Sequence, residues 1–141
     1  MDNNIIHFLQ QQTCATICCT DGEGSPYCFN CYYAFNKENN LLYFKSSADT
    51  HHVILLLKKP LIAGTVLPDK LNKVITIGIQ LQGEILSTLD PLAEAASINY
   101  HKKYPVALAI KGEVFTILLN NIKMKDSHLG FGNSILWNRN E

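Results

Sequence analysis

A chain of 141 residues, 47% of them hydrophobic and with a mean hydropathy near zero, is sized for one globular domain spanning 1–141 with a core of its own. Acidic and basic residues balance at 12 each, and 11 of the 12 basic ones are lysine, Arg139 being the exception. One arginine and no basic run longer than two residues argue against nucleic acid and against a charged membrane surface as partners.

The opening segment MDNNIIHFLQQQ has neither a basic flank nor a long apolar core, so it does not read as a secretion signal. No apolar run approaches the length of a membrane span, and the expectation is a soluble, cytoplasmic protein. Ile5, Ile6, Phe8 and Leu9 recur at helical spacing and predict a helix over 3–12. Residues 13–20 are small and β-branched, 21–26 (DGEGSP) form a strong turn signal, and 27–35 complete a hairpin. After a turn at 36–40 comes a third strand over 41–45, then a helix over 49–59 that is apolar from Val53 to Leu57. Strands are predicted over 61–67 and 74–88, the latter carrying Gly78 and Gly83, each a candidate for a bulge or a close backbone approach. Asp90 caps a helix with Pro91 in its first position, and that helix runs to Pro105. Strands over 114–119 and 122–125, a tight GFG turn at 130–132 and a closing SILW segment complete about seven strands. Short turns between them predict a mainly β protein with helices, its sheet largely antiparallel and closed into a barrel.

Five cysteines, Cys14, Cys18, Cys19, Cys28 and Cys31, fall in the first quarter of the chain. An odd number without a secretion signal argues for reduced thiols. Cys28 and Cys31 form a C-x-x-C, but on a strand residues three apart face opposite ways, so this pair shares neither a metal nor a disulfide. Core or interface packing is the better reading. Whether Cys14, Cys18 or Cys19 meets Cys28 across the hairpin stays open.

The run LYFKSSADTHHVILLLKKP (42–60) carries the chemistry. Lys45, Ser46, Ser47, Thr50, His51 and His52 crowd the start of the helix, where free backbone N–H groups and the positive dipole end suit a small anion. The plainer alternative is that Ser47 or Asp49 caps a buried helix and both histidines lie on its surface.

Taken together, these segments resemble the FMN-binding split barrels related to pyridoxamine-phosphate oxidase. There, a strand ending in a Thr/Ser turn, then Ser/Thr–Arg–Lys and a helix closing in Asn–Pro hold the FMN phosphate. The matching positions here are Lys45, Ser46, Ser47, Thr50, His51, His52 and Lys59–Pro60. AGTV (63–66), GxQxxGEI (78–85), YxxxYPVA (100–107) and LGFG with W-x-R (129–132, 137–139) look most like the uncharacterised YhbP-like branch. The resemblance implies a six-stranded antiparallel split β-barrel and a homodimer with two FMN sites between its subunits. It also implies that the isoalloxazine lies along the second strand, near Asn30, Cys31, Tyr32 and Tyr33, whose N–H groups are free of proline after Pro26. Gln80 and Gln82 either reach the partner's flavin or form a polar outward face. Trp137 closes the ring site, anchors the dimer, or is simply a buried aromatic.

Where the superfamily has arginine, this chain has His51–His52. Histidine, with an ordinary pKa of about 6.5, is only partly charged at neutral pH, so modest FMN affinity that weakens as pH rises is expected. The implied function is an FMN-dependent oxidoreductase that moves a hydride from NAD(P)H or another small-molecule donor to a small acceptor. Pyridoxamine-phosphate oxidase activity itself is not expected, since only Arg139 is available for a substrate phosphate. The alternatives are a non-enzymatic flavin or heme carrier and a cofactor-free dimer with a degenerate site. No metal motif is present.

Overall fold

Alternation of side chains decides the architecture, and the computed structural model describes it for residues 1–130 and 132–141. In β1 (Cys14–Thr20), Ala15, Ile17 and Cys19 are buried while their neighbours face outward. The same pattern recurs in β4 (Leu61–Val66) and β5 (Ile77–Ile85), where Ile62, Val66, Ile79, Leu81 and Ile85 enter the core. With β2 (Pro26–Asn36), β3 (Leu41–Ser46) and β6 (Glu113–Asp126), these strands pair in the order β3-β2-β1-β4-β5-β6. A further β3–β6 ladder closes the ring, giving a six-stranded antiparallel barrel. β7 (Ser134–Asn138) adds to β6 beyond the part that β3 occupies, pairing with Asn121 to Lys125.

Helix α1 (Asn3–Gln11) inserts Ile5, Phe8 and Leu9 into the barrel core, and α2 (His51–Lys58) adds Val53, Leu55 and Leu56. A second, smaller core lies on the other face of β2 and β3, where Ala34, Leu41 and Tyr43 meet Ala96 and Tyr100 of α3 (Ala96–Lys103). No helix among the described residues is long and apolar enough to cross a membrane.

Several sequence expectations need correcting. The strands predicted over 114–119 and 122–125 are one strand, β6. Its ladder to β5 skips Asn120, so the polar Asn120–Asn121 pair marks a bulge rather than a turn. Gly83 lies across from that bulge, and a Cβ there would collide with the Leu118 carbonyl, which accounts for the glycine. The strand predicted from 74 begins only at Ile77, because the N–H groups of Val74 and Ile75 both donate to Asn72 Oδ1 in a local turn. The helix predicted up to Pro105 is split into a single turn at Pro91–Ala93, then α3, then a turn at Pro105–Ala109. Only Ala96 and Tyr100 are buried along it, so nothing holds the first turn to the same face. The expected GFG turn includes Phe131, which lies outside the described residues.

Candidate functional site

β2 is 11 residues long, yet β3 pairs only with its last part, from Tyr33↔Phe44 to Asn36↔Leu41. Its first half has β1 on one side alone. Cys18 and Cys28 face each other across that ladder with Cα atoms 4.2 Å apart, the spacing of a non-hydrogen-bonded pair. The backbone N–H and C=O groups of Cys28, Asn30 and Tyr32 therefore point away from β1. On that side no strand of the described residues meets Cys28 or Asn30; the β3 ladder begins at Tyr33↔Phe44, where the Tyr32 carbonyl is taken up and its N–H stays open. The barrel is split here, along one strand edge.

The start of α2 docks onto this half of β2. His51 meets Tyr27 edge to face, with ring centroids 4.9 Å apart, and His52 stacks on Phe29 at 3.9 Å. The cap residue is Thr50, not Ser47 or Asp49, and its hydroxyl bonds no N–H of the helix. It donates instead to the Ser47 carbonyl at 2.9 Å and lies 3.2 Å from both Ser46 Oγ and His52 Nε2. Ser46 Oγ is 2.8 Å from the same Nε2. Hydroxyls and imidazole thus form one cluster, and the first-turn N–H groups of α2 have no intrahelical acceptor. Burial, followed by the proximity of His51, holds the His52 imidazole below its ordinary pKa.

Lys45 is not part of this cluster. It alternates with Ser46 on β3 and projects to the α3 side, where Nζ donates to the Ala107 carbonyl at 2.7 Å. Nζ also lies 3.0 Å from His101 Nε2, and His101 Nδ1 lies 2.9 Å from the Ser97 carbonyl. An Nδ1–H bond to Ser97 leaves the Nε2 lone pair for the ammonium. Lys45 braces β3 against the 105–109 turn.

The four strand residues expected near a flavin ring also divide by face. Cys31 and Tyr33 point inward. Burial pushes the Cys31 thiol up to about 12 and raises the Tyr33 phenol, whose hydroxyl donates to the Leu9 carbonyl at 2.8 Å. Asn30 and Tyr32 point outward. Asn30 Oδ1 accepts from Thr16 Oγ1 at 2.7 Å, and both residues line an outer cleft of about 520 Å³ with Thr65 and Asp69.

Gln80 and Trp137 lie elsewhere on the barrel, in a cleft of about 480 Å³ shared with Gln82 and Asn121. β5, which carries Gln80, is three strands from β2. Arg139 sits over Trp137 but is committed to the fold. Its Nε donates to the Leu119 carbonyl at 2.6 Å, and its Nη2 to the carbonyls of Asn39 and Asn40 at 3.0 and 2.9 Å.

The expectation of reduced thiols throughout needs correction as well: Cys18 and Cys28 form a disulfide, while Cys14, Cys19 and Cys31 are free. The signal was the hairpin register. A turn that pairs Thr20 with Pro26 sets Cys18 opposite Cys28. Tyr27 and Phe29, which receive the two histidines, were not singled out in the sequence because strand aromatics are common. No group of three metal-ligating side chains occurs among the described residues.

Among solved structures, the chain is similar to a heme binding protein from Mycobacterium smegmatis, with a TM-score of 0.77 at 12% identity. That match covers 93% of this chain, which spans about half (55%) of the other. A FAD-binding protein from Mesorhizobium loti matches with a TM-score of 0.69 at 14% identity, over 89% of this chain and 95% of its own. HutZ, a heme storage protein from Vibrio cholerae, matches at 0.63 and 12% over 84% and 87%. At these identities the likeness shows the fold, a split barrel. No protein-family model matches the chain. A UPF0306 protein of Photorhabdus laumondii is 33% identical over 136 residues, covering 96% of this chain and 94% of the relative. A UPF0306 protein of Serratia proteamaculans is 30% identical over 135 residues, covering 96% and 93%. Likeness of this extent along nearly the whole length makes the chain a member of the UPF0306 family.

Proposed function

We propose that this protein binds FMN between the subunits of a homodimer and serves as a flavin-dependent oxidoreductase, related within the split-barrel superfamily to the YhbP-like branch. The observation that carries this reading is the open edge of β2 lying beside the start of α2, whose cap hydroxyl bonds no helix N–H. The donor set fits the group. First-turn N–H groups, Ser46, Ser47, Thr50 and the two imidazoles suit a phosphate, and the outward N–H groups of Asn30 and Tyr32 suit the carbonyls and N5 of a flavin ring. Cys31 and Tyr33 serve through their backbone and packing only, and Lys45 supports β3 from the other face. Gln80 and Trp137 reach this site only from a second copy, so dimer and site stand together.

When bound, the flavin supplies two-electron transfer between a donor such as NAD(P)H and a small acceptor. The chain's own residues bind the phosphate, orient the ring through the β2 edge and exclude water. Heme carriage is the second reading, favoured by the His51 imidazole, which stands exposed at the mouth of the same opening. The absorbance spectrum of the purified protein separates the two: flavin bands against a Soret band. Titration with FMN, followed by quenching of its fluorescence, is expected to saturate at one per chain in a dimeric protein. A colourless monomer that ignores FMN defeats the proposal.

A further inference from the structure

The Cys18–Cys28 disulfide is not part of the barrel interior. Alternation places Cys19 and Cys31 inside, where burial raises both thiols, and leaves the disulfide on the outward face of the hairpin. Cys28 is exposed there and Cys18 half-buried. Along the same face the next outward pair is Thr16 with Asn30, which lines the outer cleft, and the residue opposite Cys18 on β4 is the small Ala63. Cys28 has a second property. Its backbone N–H and C=O belong to the open edge of β2, together with those of Asn30 and the N–H of Tyr32. One residue thus offers its backbone to a ring on that edge and carries a reducible bond a side-chain length away.

We propose that Cys18 and Cys28 are a redox-active pair that takes the electron pair of a reduced flavin held on the β2 edge, so that the acceptor class served by this protein is a disulfide. This rests on the flavin reading above. The Cys18–Cys28 bond takes up two electrons and two protons and opens to two thiols as dihydroflavin returns to oxidised flavin, a nicotinamide having supplied the pair to the flavin. Cys28, the exposed member, then attacks an external small-molecule disulfide as its thiolate and releases one external thiol. Cys18 attacks the mixed disulfide at Cys28 Sγ, releases the second external thiol and restores the bond. Buried Cys19 and half-buried Cys31 face the barrel interior and take no part, their raised pKa values keeping them protonated.

The test uses the full chain, loaded with FMN and handled without air. Alkylation under denaturing conditions, read by mass spectrometry, is expected to find three reactive cysteines before reduction. After one equivalent of photoreduced FMN it is expected to find five, the new ones being Cys18 and Cys28. The yellow colour returns in step. Cys18→Ser is expected to bind FMN equally well and to leave the reduced flavin colourless until air is admitted. If FMN binds but the count stays at three and the flavin stays reduced, the disulfide is not its partner, and this proposal falls while the cofactor reading stands. If FMN does not bind at all, both fall.

Discussion

The imidazole of His52 lies flat on the ring of Phe29, centroids 3.9 Å apart and planes 13° from parallel. This stack joins α2 to the half of β2 that β3 leaves open, and it buries a ring that titrates. Burial lowers the His52 pKa below the unfolded value of about 6.5, so the unfolded chain takes up that proton first. The contribution to stability is therefore complete above about pH 6.5 and is lost as pH falls below it. Urea midpoints measured from about pH 7.5 down to about pH 5 should decline through that window. His52→Phe, which keeps an aromatic ring on Phe29 and cannot titrate, should flatten the part of the decline that lies near pH 6. An unchanged profile in the variant would show that other groups govern acid stability.

A phosphate held at the same turn favours the charged imidazole, which is the opposite demand. FMN affinity should thus rise as the medium is acidified and weaken toward alkaline pH. His51→Arg should tighten binding about 5- to 10-fold, because guanidinium stays charged and forks onto two oxygens. Fluorescence titration with FMN, with inorganic phosphate as competitor, gives the numbers. Equal affinity in the variant would place His51 away from the phosphate.

Lys45 and Ser46 leave β3 in opposite directions, so removing the lysine should cost stability and spare the ligand. Lys45→Met removes a charged hydrogen bond to the Ala107 carbonyl and should destabilise the protein by about 1–2 kcal/mol. FMN affinity should stay within about twofold of the parent, since the change in charge lies across the strand. A loss of FMN binding at unchanged stability would put Lys45 back in the anion site.

Arg139 joins the C-terminal segment to the Asn39–Asn40 turn and to the Leu119 carbonyl. Arg139→Ala leaves three carbonyls without that partner and should cost about 2–4 kcal/mol in urea unfolding. Arg139→Lys should recover only part of this, because an ammonium lacks the planar fork that spans these acceptors. Full recovery by lysine would mean that charge alone matters there.

The sequence made element order plain because hairpin turns and hydrophobic alternation are local signals. The DGEG turn, the apolar α2 and the three strands before it all stand where their residues indicated. Non-local geometry was harder to read. Asn120–Asn121 has the composition of a turn, and only pairing with β5 makes it a bulge. Lys45 belongs to the same short polar run as Ser46, and only the position of α3 separates their surroundings. The Cys18–Cys28 bond needs the register of one hairpin, which the turn sets but the spacing of five cysteines does not reveal. Gln80 and Trp137 lie far along the chain from β2, and their own cleft was visible only once the barrel had closed.

The gap between β2 and the end of β3 has one more consequence. At Cys28 and Asn30, and at the Tyr32 N–H, the strand edge presents unmet donors and acceptors, a ready template on which a stray extended segment can zip. An occupant of that edge is also a guard against runaway polymerisation, and molecules stripped of it should be the first to clump.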